Sequence, residues 1–205
     1  MPFVAAAAST SPGRRERNKQ EKLERITTAA AALFAERGVD EVTTQEIADR
    51  ADIGAGTLFL YAKTKGELLL MVLNSGYVDA LADGVAEAAR LTDPLDAVMA
   101  IVRPVVVCNR KHVENGRVYL RELVYGDPTE PHHRDALDLS LRTAEAIAAV
   151  LKRDPGLDEA EATTRARIVS AIMFLSLSAP FNVPASIDEV VHDIRTQVQV
   201  LLAGS

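Results

Sequence analysis

Cys108 and His112 are the two side chains of this 205-residue chain whose types and spacing come closest to a nucleophilic enzyme site. Four residues apart, they would share one face of a helix, where an imidazole can activate a thiol. Catalysis also needs a third group that orients the imidazole, and the sequence identifies none. The favoured interpretation is an inert buried cysteine beside a surface histidine, so we predict no catalytic residue and no enzymatic activity.

His132 and His133, followed by Asp135, are the side chains that suggest a metal site. Adjacent residues on a helix point about 100° apart, so the two imidazoles cannot easily bind one ion together. A polar helix start is the favoured interpretation. The sequence also contains no glycine-rich phosphate loop and no HExxH motif. We therefore predict neither a bound metal nor a cofactor.

The charge distribution separates the first third of the chain from the rest. The formal net charge is −6, but residues 1–65 hold ten basic and nine acidic residues (+1), and the remainder holds thirteen and twenty (−7). Phosphate binding depends on Lys and Arg, so only the front part is suited to nucleic acid. Six of its basic residues precede or open the first periodic segment: Arg14, Arg15, Arg17, Lys19, Lys22 and Arg25.

Two short helices joined by a tight turn are predicted in this front part. Thr43 and Glu46 have the spacing of a capping box, which opens the first of them. Asp52 tolerates a left-handed backbone and Gly54 suits the position before a helix, so the intervening residues predict a turn. The second helix is expected over residues 55–61.

Longer helices flank this pair. An apolar stripe over residues 23–34 predicts a helix that stops at Gly38. Thr64 and Glu67 form a second capping box, which opens another long helix. A pair of short helices joined by a turn, held between longer ones, is the sequence form of a helix-turn-helix domain.

The leading end of the second short helix carries Ala55, Gly56 and Thr57. A helix that enters the DNA major groove needs small or polar side chains there, because its backbone must approach the base edges closely. We therefore expect this helix to read bases.

Phosphate contacts are expected from the elements on either side. The capped N-terminus around Thr44 and Gln45 would present N–H groups and a positive dipole end to a phosphate. Lys63 and Lys65 are expected to clamp another phosphate.

Residues 44–61, followed by Lys65 and Leu68, resemble the DNA-binding signature of the TetR/AcrR family of transcriptional regulators. The close resemblance covers roughly residues 23–73. The chain departs from the usual pattern at Asp52, Gly54, Phe59 and Ala62, where glycine, serine, tyrosine and phenylalanine are common. Phe59 lacks a hydroxyl for phosphate, and Tyr61 is expected to supply it. The DNA contacts implied are Thr44, Gln45, Gly54, Ala55, Gly56, Thr57, Phe59, Leu60, Tyr61, Lys63 and Lys65.

The whole chain is expected to be all-α, because no convincing alternating strand pattern appears. We expect a disordered tail over residues 1–16, a three-helix helix-turn-helix domain over 17–64, and a helical ligand-binding and dimerisation domain over 65–205. Within that second domain, long helices are predicted over about 68–90, 131–153, 159–178 and 187–202, and another begins at Asp93-Pro94. Pro104 is expected to kink or break its helix. Asn115-Gly116 is expected to precede a short segment over 117–125.

The resemblance also implies partners. The first partner is double-stranded DNA that carries a pseudopalindromic operator. The second is another copy of the chain, and the resulting dimer would read half-sites whose centres lie about 34 Å apart. The third is an unknown small molecule that shifts the conformation. Repression is the expected mode of regulation.

Candidate ligand-binding residues are Met71, Tyr77, Met99, Arg103, Val106, Tyr119, Leu123 and Phe174. Candidate dimer residues are Leu175, Leu177, Ile194, Val198 and Leu201, each of which is equally well explained as intramolecular core.

A single cysteine cannot form an internal disulfide, so we expect a reducing, cytoplasmic location. No transmembrane segment is predicted.

A helical interaction protein without DNA binding is the alternative function. A DNA regulator predicts that loss of Lys65 weakens binding to all sequences and that changing Thr57 alters base preference. An interaction protein would bind no DNA at any salt concentration.

Overall fold

The computed structural model describes residues 13–203, and every regular element within that range is helical. This confirms the all-α prediction. The helices are α1 (Arg14–Arg37), α2 (Thr44–Arg50), α3 (Ala55–Leu58), α4 (Lys65–Ala88), α5 (Pro94–Arg110), α6 (Val113–Tyr125), α7 (Pro131–Leu151), α8 (Glu159–Ser178) and α9 (Ile187–Ala203), with a 3₁₀ turn at Pro180–Asn182.

Helix α1 begins earlier than expected. Residues 14–16 belong to its first turn, so the expectation of a disordered tail over 1–16 is wrong for these residues, and residues 1–12 lie outside the described range. The first turns contain Arg, Lys, Gln and Glu, which are good helix formers. Gln20 and Glu24 also form an i,i+4 hydrogen bond. Local propensity therefore extends the helix beyond its apolar stripe.

Helix α4 is the central element of the fold. It contacts α1, α5, α6 and α7, and Leu68, Leu69 and Leu70 are buried in its second turn. By length and composition α4 is apolar enough to cross a membrane. Its packing against four neighbours accounts for that composition, since its apolar side chains form much of the core.

Helix α5 runs unbroken through Pro104, so the expectation of a break there is wrong. The reason is close packing on α4. A Cβ on Gly84 would lie 2.8 Å from Ile101 Cα and 2.9 Å from the Ala100 carbonyl oxygen. The turn that loses a hydrogen bond at Pro104 is therefore held against the backbone of α4.

Helix α6 also differs from the prediction, because Asn115 and Gly116 lie inside it. His112 is the N-cap, and its Nδ1 accepts the Asn115 N–H. Gly116 is needed for close approach: a Cβ there would lie 2.2 Å from the Asn109 carbonyl oxygen. What looked like a turn in the sequence is a tight contact between α5 and α6.

Candidate nucleic-acid interface and internal cavity

The turn between α2 and α3 has the geometry that the sequence indicates. Thr43 and Glu46 form a complete capping box at α2, and Asp52 has a left-handed backbone with φ 52°. The Thr43 N–H and the Arg37 guanidinium both donate to the Glu46 carboxylate, which lowers the pKa of that group to about 2. Ile47 and Ala48 bury the inner face of α2. These contacts fix the direction in which α3 leaves the turn.

Helix α3 is shorter than predicted, with one α-helical turn after its N-cap Gly54. The chain then continues in i,i+3 hydrogen bonds, from the Leu60 N–H to the Thr57 carbonyl oxygen and from the Tyr61 N–H to that of Leu58. Such tighter turns are common at helix ends. The predicted helix over 55–61 is thus one helical turn followed by a 3₁₀-type turn.

The outer surface of this element is open and partly apolar. Leu60 is 83% exposed and Phe59 is 47% exposed. A Cβ at Gly54 or Gly56 would meet no described atom within 4 Å. Internal packing therefore does not explain the two glycines, and the space around them is open to an external partner. Ala55 lies between them and Thr57 follows Gly56, and both are partly buried.

The two lysines expected to clamp phosphate are engaged elsewhere. Lys63 forms a salt bridge with Glu130 at the N-cap of α7. The Lys65 ammonium donates to the carbonyl oxygens of Asp40 and Val42, at 3.2 and 3.1 Å. Both ammonium groups bond to the protein's own atoms here, and their contact with phosphate stays a prediction.

Other expected phosphate contacts are accessible. Gln45 is exposed at the N-terminus of α2, where its side chain donates to Asp49, and Thr44 is half-buried. The Tyr61 hydroxyl lies 3.4 Å from the carbonyl oxygen of Lys19. The basic first turns of α1 therefore lie beside the end of α3. Their exposed side chains are Arg14, Arg15, Arg17, Lys19 and Lys22.

A cavity of about 90 Å³, partly open to solvent at Ser140, lies among helices α4 to α8. Its lining side chains are apolar or neutral polar, and no charged residue is among them. They are Tyr77, Val105, Asn109, Tyr119, Leu120, Leu123, Ala136, Leu139, Ser140, Thr143, Ser170, Met173, Phe174 and Leu177.

Two stacked tyrosines form one wall of the cavity. The rings of Tyr77 and Tyr119 lie 4.5 Å apart between centroids. Asn109 Nδ2 donates to the Tyr77 hydroxyl at 2.6 Å, and the Tyr119 hydroxyl donates to Asn74 Oδ1 at 2.9 Å. Burial raises the pKa of both phenols above the ordinary value, so both stay neutral hydrogen-bonding groups.

Four of the eight predicted ligand-binding residues line this cavity: Tyr77, Tyr119, Leu123 and Phe174. Met99 and Val106 are buried in the core, and Met71 packs against it. The expected ligand-binding role of Arg103 is corrected, because its guanidinium pairs with Asp188 at 2.9 Å on the exterior of the protein. The polar lining from Asn109, Ser140, Thr143 and Ser170 was missed, because helix spacing alone does not tell which polar residues face inward.

The rings of the three candidate histidines each bond to a backbone group. Burial raises the pKa of the Cys108 thiol, whereas His112 caps α6. The ring Nε2 atoms of His132 and His133 lie beside different carbonyl oxygens, those of Tyr61 and Leu123. Within residues 13–203 no cluster of three potential metal ligands is present.

The predicted dimer residues divide into two groups. Ile194 and Val198 are 0% exposed, so their assignment to a dimer interface is wrong: both are core residues of α9. Leu177 is buried and lines the cavity, and Leu201 is partly buried. Leu175 is 62% exposed on α8 and is available to a second copy.

Comparison of sequences places these features among known regulators. Residues 26–72 match the family model for bacterial regulatory proteins of the tetR family. The chain is 23% identical over 199 residues to the HTH-type transcriptional repressor KstR of Rhodococcus jostii, covering 97% of this chain and 91% of that protein. It is also 36% identical over 74 residues to the HTH-type transcriptional activator FasR of Mycolicibacterium smegmatis, covering 36% of this chain and 33% of that protein.

Solved structures share the whole fold. A TetR transcriptional regulator from Rhodococcus sp. RHA1 superposes with a TM-score of 0.68 at 20% identity, covering 90% of this chain and 97% of that one. The repressor FadR of Thermus thermophilus, in complex with lauroyl-CoA, superposes with a TM-score of 0.66 at 26% identity, covering 86% and 93%.

Proposed function

The chain belongs to the TetR family of transcriptional regulators, and on that premise we propose that it is a repressor, which binds a pseudopalindromic operator as a homodimer and is released by a small molecule. The observation that carries this proposal is the exposed leading end of α3, where Gly54 and Gly56 leave open space around the backbone. A backbone without side-chain bulk can enter the major groove and approach base edges.

The apolar side chains beyond the glycines fit the same role. Leu60 and Phe59 expose large hydrophobic surfaces at the end of the element that would enter the groove. Thymine methyl groups offer an apolar contact there, while Thr57 supplies a hydroxyl for a base edge. The basic first turns of α1 and the N-terminus of α2 would then hold the flanking phosphates.

A homodimer is supported by an apolar stripe on the outside of α8 and α9. Ile168 and Leu175 on α8 and Val200 on α9 are exposed. Pairing of two such helix pairs would form an intermolecular four-helix bundle and place two copies of α3 on one face of DNA. This set replaces the buried residues Ile194 and Val198 as the interface.

The cavity indicates what part of a ligand can enter. It offers hydroxyl and amide groups but no charged side chain, so the portion that enters is uncharged and mostly apolar. A relative of the same fold was solved with lauroyl-CoA, whose acyl chain has this character. A cavity of roughly 150 Å³ holds benzene, so the 90 Å³ observed here is too small to enclose even a ligand as small as benzene. Ligand binding would therefore favour a different arrangement of the surrounding helices.

We propose no enzymatic activity for this chain. The Cys108 thiol, the one candidate nucleophile, is buried, and its raised pKa keeps it protonated. A cytoplasmic location follows from the proposed function, because a bacterial repressor acts where the DNA is.

The DNA-binding role is tested with two variants that add the same charge at equally exposed sites. Leu60→Glu places a carboxylate at the end of α3, whereas Tyr125→Glu places it at the end of α6. On an operator recovered from a randomised duplex library, we expect Leu60→Glu to weaken binding at least ten-fold and Tyr125→Glu to leave it unchanged. Equal affinities for both variants would contradict the proposed interface.

A further inference from the structure

The peptide groups of His132 join α7 to α4. The His132 N–H donates to Glu67 Oε1 at 2.7 Å, and Asn74 Nδ2 donates to the His132 carbonyl oxygen at 3.0 Å. Glu67 and Asn74 are seven positions apart on α4, so they lie on one helix face two turns apart. The first turn of α7 is thereby held in a fixed position along α4.

The ring of the same histidine reaches the helix-turn-helix element. Its Nε2 lies 3.2 Å from the Tyr61 carbonyl oxygen. A carbonyl oxygen only accepts hydrogen bonds, so Nε2 carries the hydrogen and donates it. Tyr61 directly follows the turn that ends α3. The position of that turn therefore depends on the position of His132.

The other end of this set of bonds lies at the cavity wall. Tyr119 lines the cavity, and its hydroxyl donates to Asn74 Oδ1. Both side chains are buried, so water does not readily replace this bond if it breaks. Tyr119 has one hydroxyl hydrogen, and it cannot serve Asn74 and a cavity ligand fully at once.

We propose that the hydrogen bonds Tyr119–Asn74–His132–Tyr61 couple the internal cavity to the DNA-reading element, and that ligands act by competing for the Tyr119 hydroxyl hydrogen. An acceptor such as a carbonyl oxygen in the cavity takes that hydrogen from Asn74. The Asn74 amide then loses the partner that orients it, its bond to the His132 carbonyl weakens, and the Tyr61 turn is released. This inference rests on the proposed function and specifies how its ligand site controls DNA binding.

Tyr77 provides a matched control within the same cavity. It stacks on Tyr119 and also lines the cavity, but its hydroxyl bonds with Asn109 instead of Asn74. Tyr119→Phe and Tyr77→Phe each remove one buried hydroxyl and keep the stacked ring. A merely structural role for the hydroxyls predicts similar consequences for the two variants.

The test is a double-mutant cycle on operator affinity, measured without ligand by fluorescence anisotropy on a library-selected duplex. Tyr119→Phe and His132→Phe are each expected to weaken binding about three- to ten-fold, the range of one hydrogen bond. The double variant should be no weaker than His132→Phe alone, because both changes interrupt one chain of bonds. Tyr77→Phe should weaken binding less than Tyr119→Phe does and should combine additively with His132→Phe.

Hydrogen exchange supplies a second readout. Tyr119→Phe should speed exchange of the amides at residues 59–62 while leaving those of α9 unchanged, and Tyr77→Phe should speed neither. If His132→Phe fails to fold, His132→Leu replaces it in the cycle, because it also lacks a donor for the Tyr61 carbonyl oxygen. Additive effects of Tyr119→Phe and His132→Phe, or equal effects of the two tyrosine variants, would overturn the inference. Failure of the wild-type chain to select any operator would instead overturn the proposed function.

Discussion

The side-chain amide of Asn115 donates to the carbonyl oxygen of Phe34 at 2.8 Å, joining α6 to the last turns of α1 across 81 positions of sequence. Its Oδ1 accepts the Val39 N–H at 2.7 Å. The ring of His112 packs over Gly38, where a Cβ would lie 2.9 Å from its Cε1 atom. One buried amide and one imidazole thus attach α1 and the turn after it to α6, through residues other than those that His132 contacts.

Asn115→Leu is expected to destabilise the chain by about 2–4 kcal/mol. The substitution leaves the Val39 N–H without its buried partner and removes a donor from the Phe34 carbonyl, and an unsatisfied buried group costs about 1–3 kcal/mol. Urea unfolding measures the loss, with the exposed Asn18→Leu as control. A change below about 0.5 kcal/mol would show that this junction contributes little.

Glu67→Gln is expected to remove a pH dependence of stability. Burial raises the pKa of Glu67 above the ordinary glutamate value of 4.5, and the hydrogen bond from the His132 N–H only partly opposes this. The folded state therefore holds the proton more tightly than the unfolded state, and stability falls as pH rises above about 4.5 through the folded pKa. The amide keeps an oxygen for His132 but carries no charge.

The measurement is thermal unfolding between pH 4 and pH 8. Wild type should lose stability with rising pH relative to Glu67→Gln, while Glu145→Gln, at an exposed carboxylate on α7, should follow the wild-type curve. Parallel curves for wild type and Glu67→Gln would refute a strained carboxylate at this site.

Ala136→Leu should produce a regulator that binds operator but no longer responds to ligand. Ala136 is 1% exposed and lines the cavity, so added methyl groups occupy the space that a ligand needs. Operator affinity in the presence of lauroyl-CoA, and of the uncharged probe methyl laurate, tests this. Wild type is expected to lose affinity with at least one of them. A variant that responds like wild type would place the ligand elsewhere.

Leu175→Glu should convert the dimer to a monomer. The side chain is 62% exposed on α8 and would face its counterpart in the proposed bundle, where two carboxylates repel and lose water. Leu141→Glu on α7 is the control, since Leu141 is 56% exposed outside the proposed stripe. Sedimentation equilibrium distinguishes the masses. Dissociation by Leu141→Glu, with Leu175→Glu still dimeric, would assign the interface to α7.

Local signals in the sequence were sufficient for much of the fold. The capping box at Thr43 and the left-handed backbone at Asp52 depend on neighbouring residues, and both are confirmed. Thr64 accepts the Glu67 N–H as predicted, but the Glu67 carboxylate bonds to His132 instead of completing the box. That partner lies 65 positions away, where no local pattern identifies it.

The errors share one physical cause. Pro104 and Gly116 predict interruptions of helices because both residue types disfavour the interior of a helix. Close contact of α5 with α4 at Pro104, and of α6 with α5 at Gly116, outweighs that preference. The residue types of Lys63 and Lys65 predict phosphate contacts, but they do not reveal the bonds to Glu130 and to two backbone carbonyl oxygens. Tertiary contacts between distant segments decide these cases.

Selection of duplexes from a randomised library at two salt concentrations, with the purified chain unfolded and refolded to remove any ligand, tests the central claim most directly. A dimeric reader should enrich a pseudopalindrome with half-site centres about 34 Å apart, and binding should fall steeply between about 50 and 200 mM salt. Enrichment of no sequence at either salt concentration would contradict the assignment of this chain as a DNA-binding repressor.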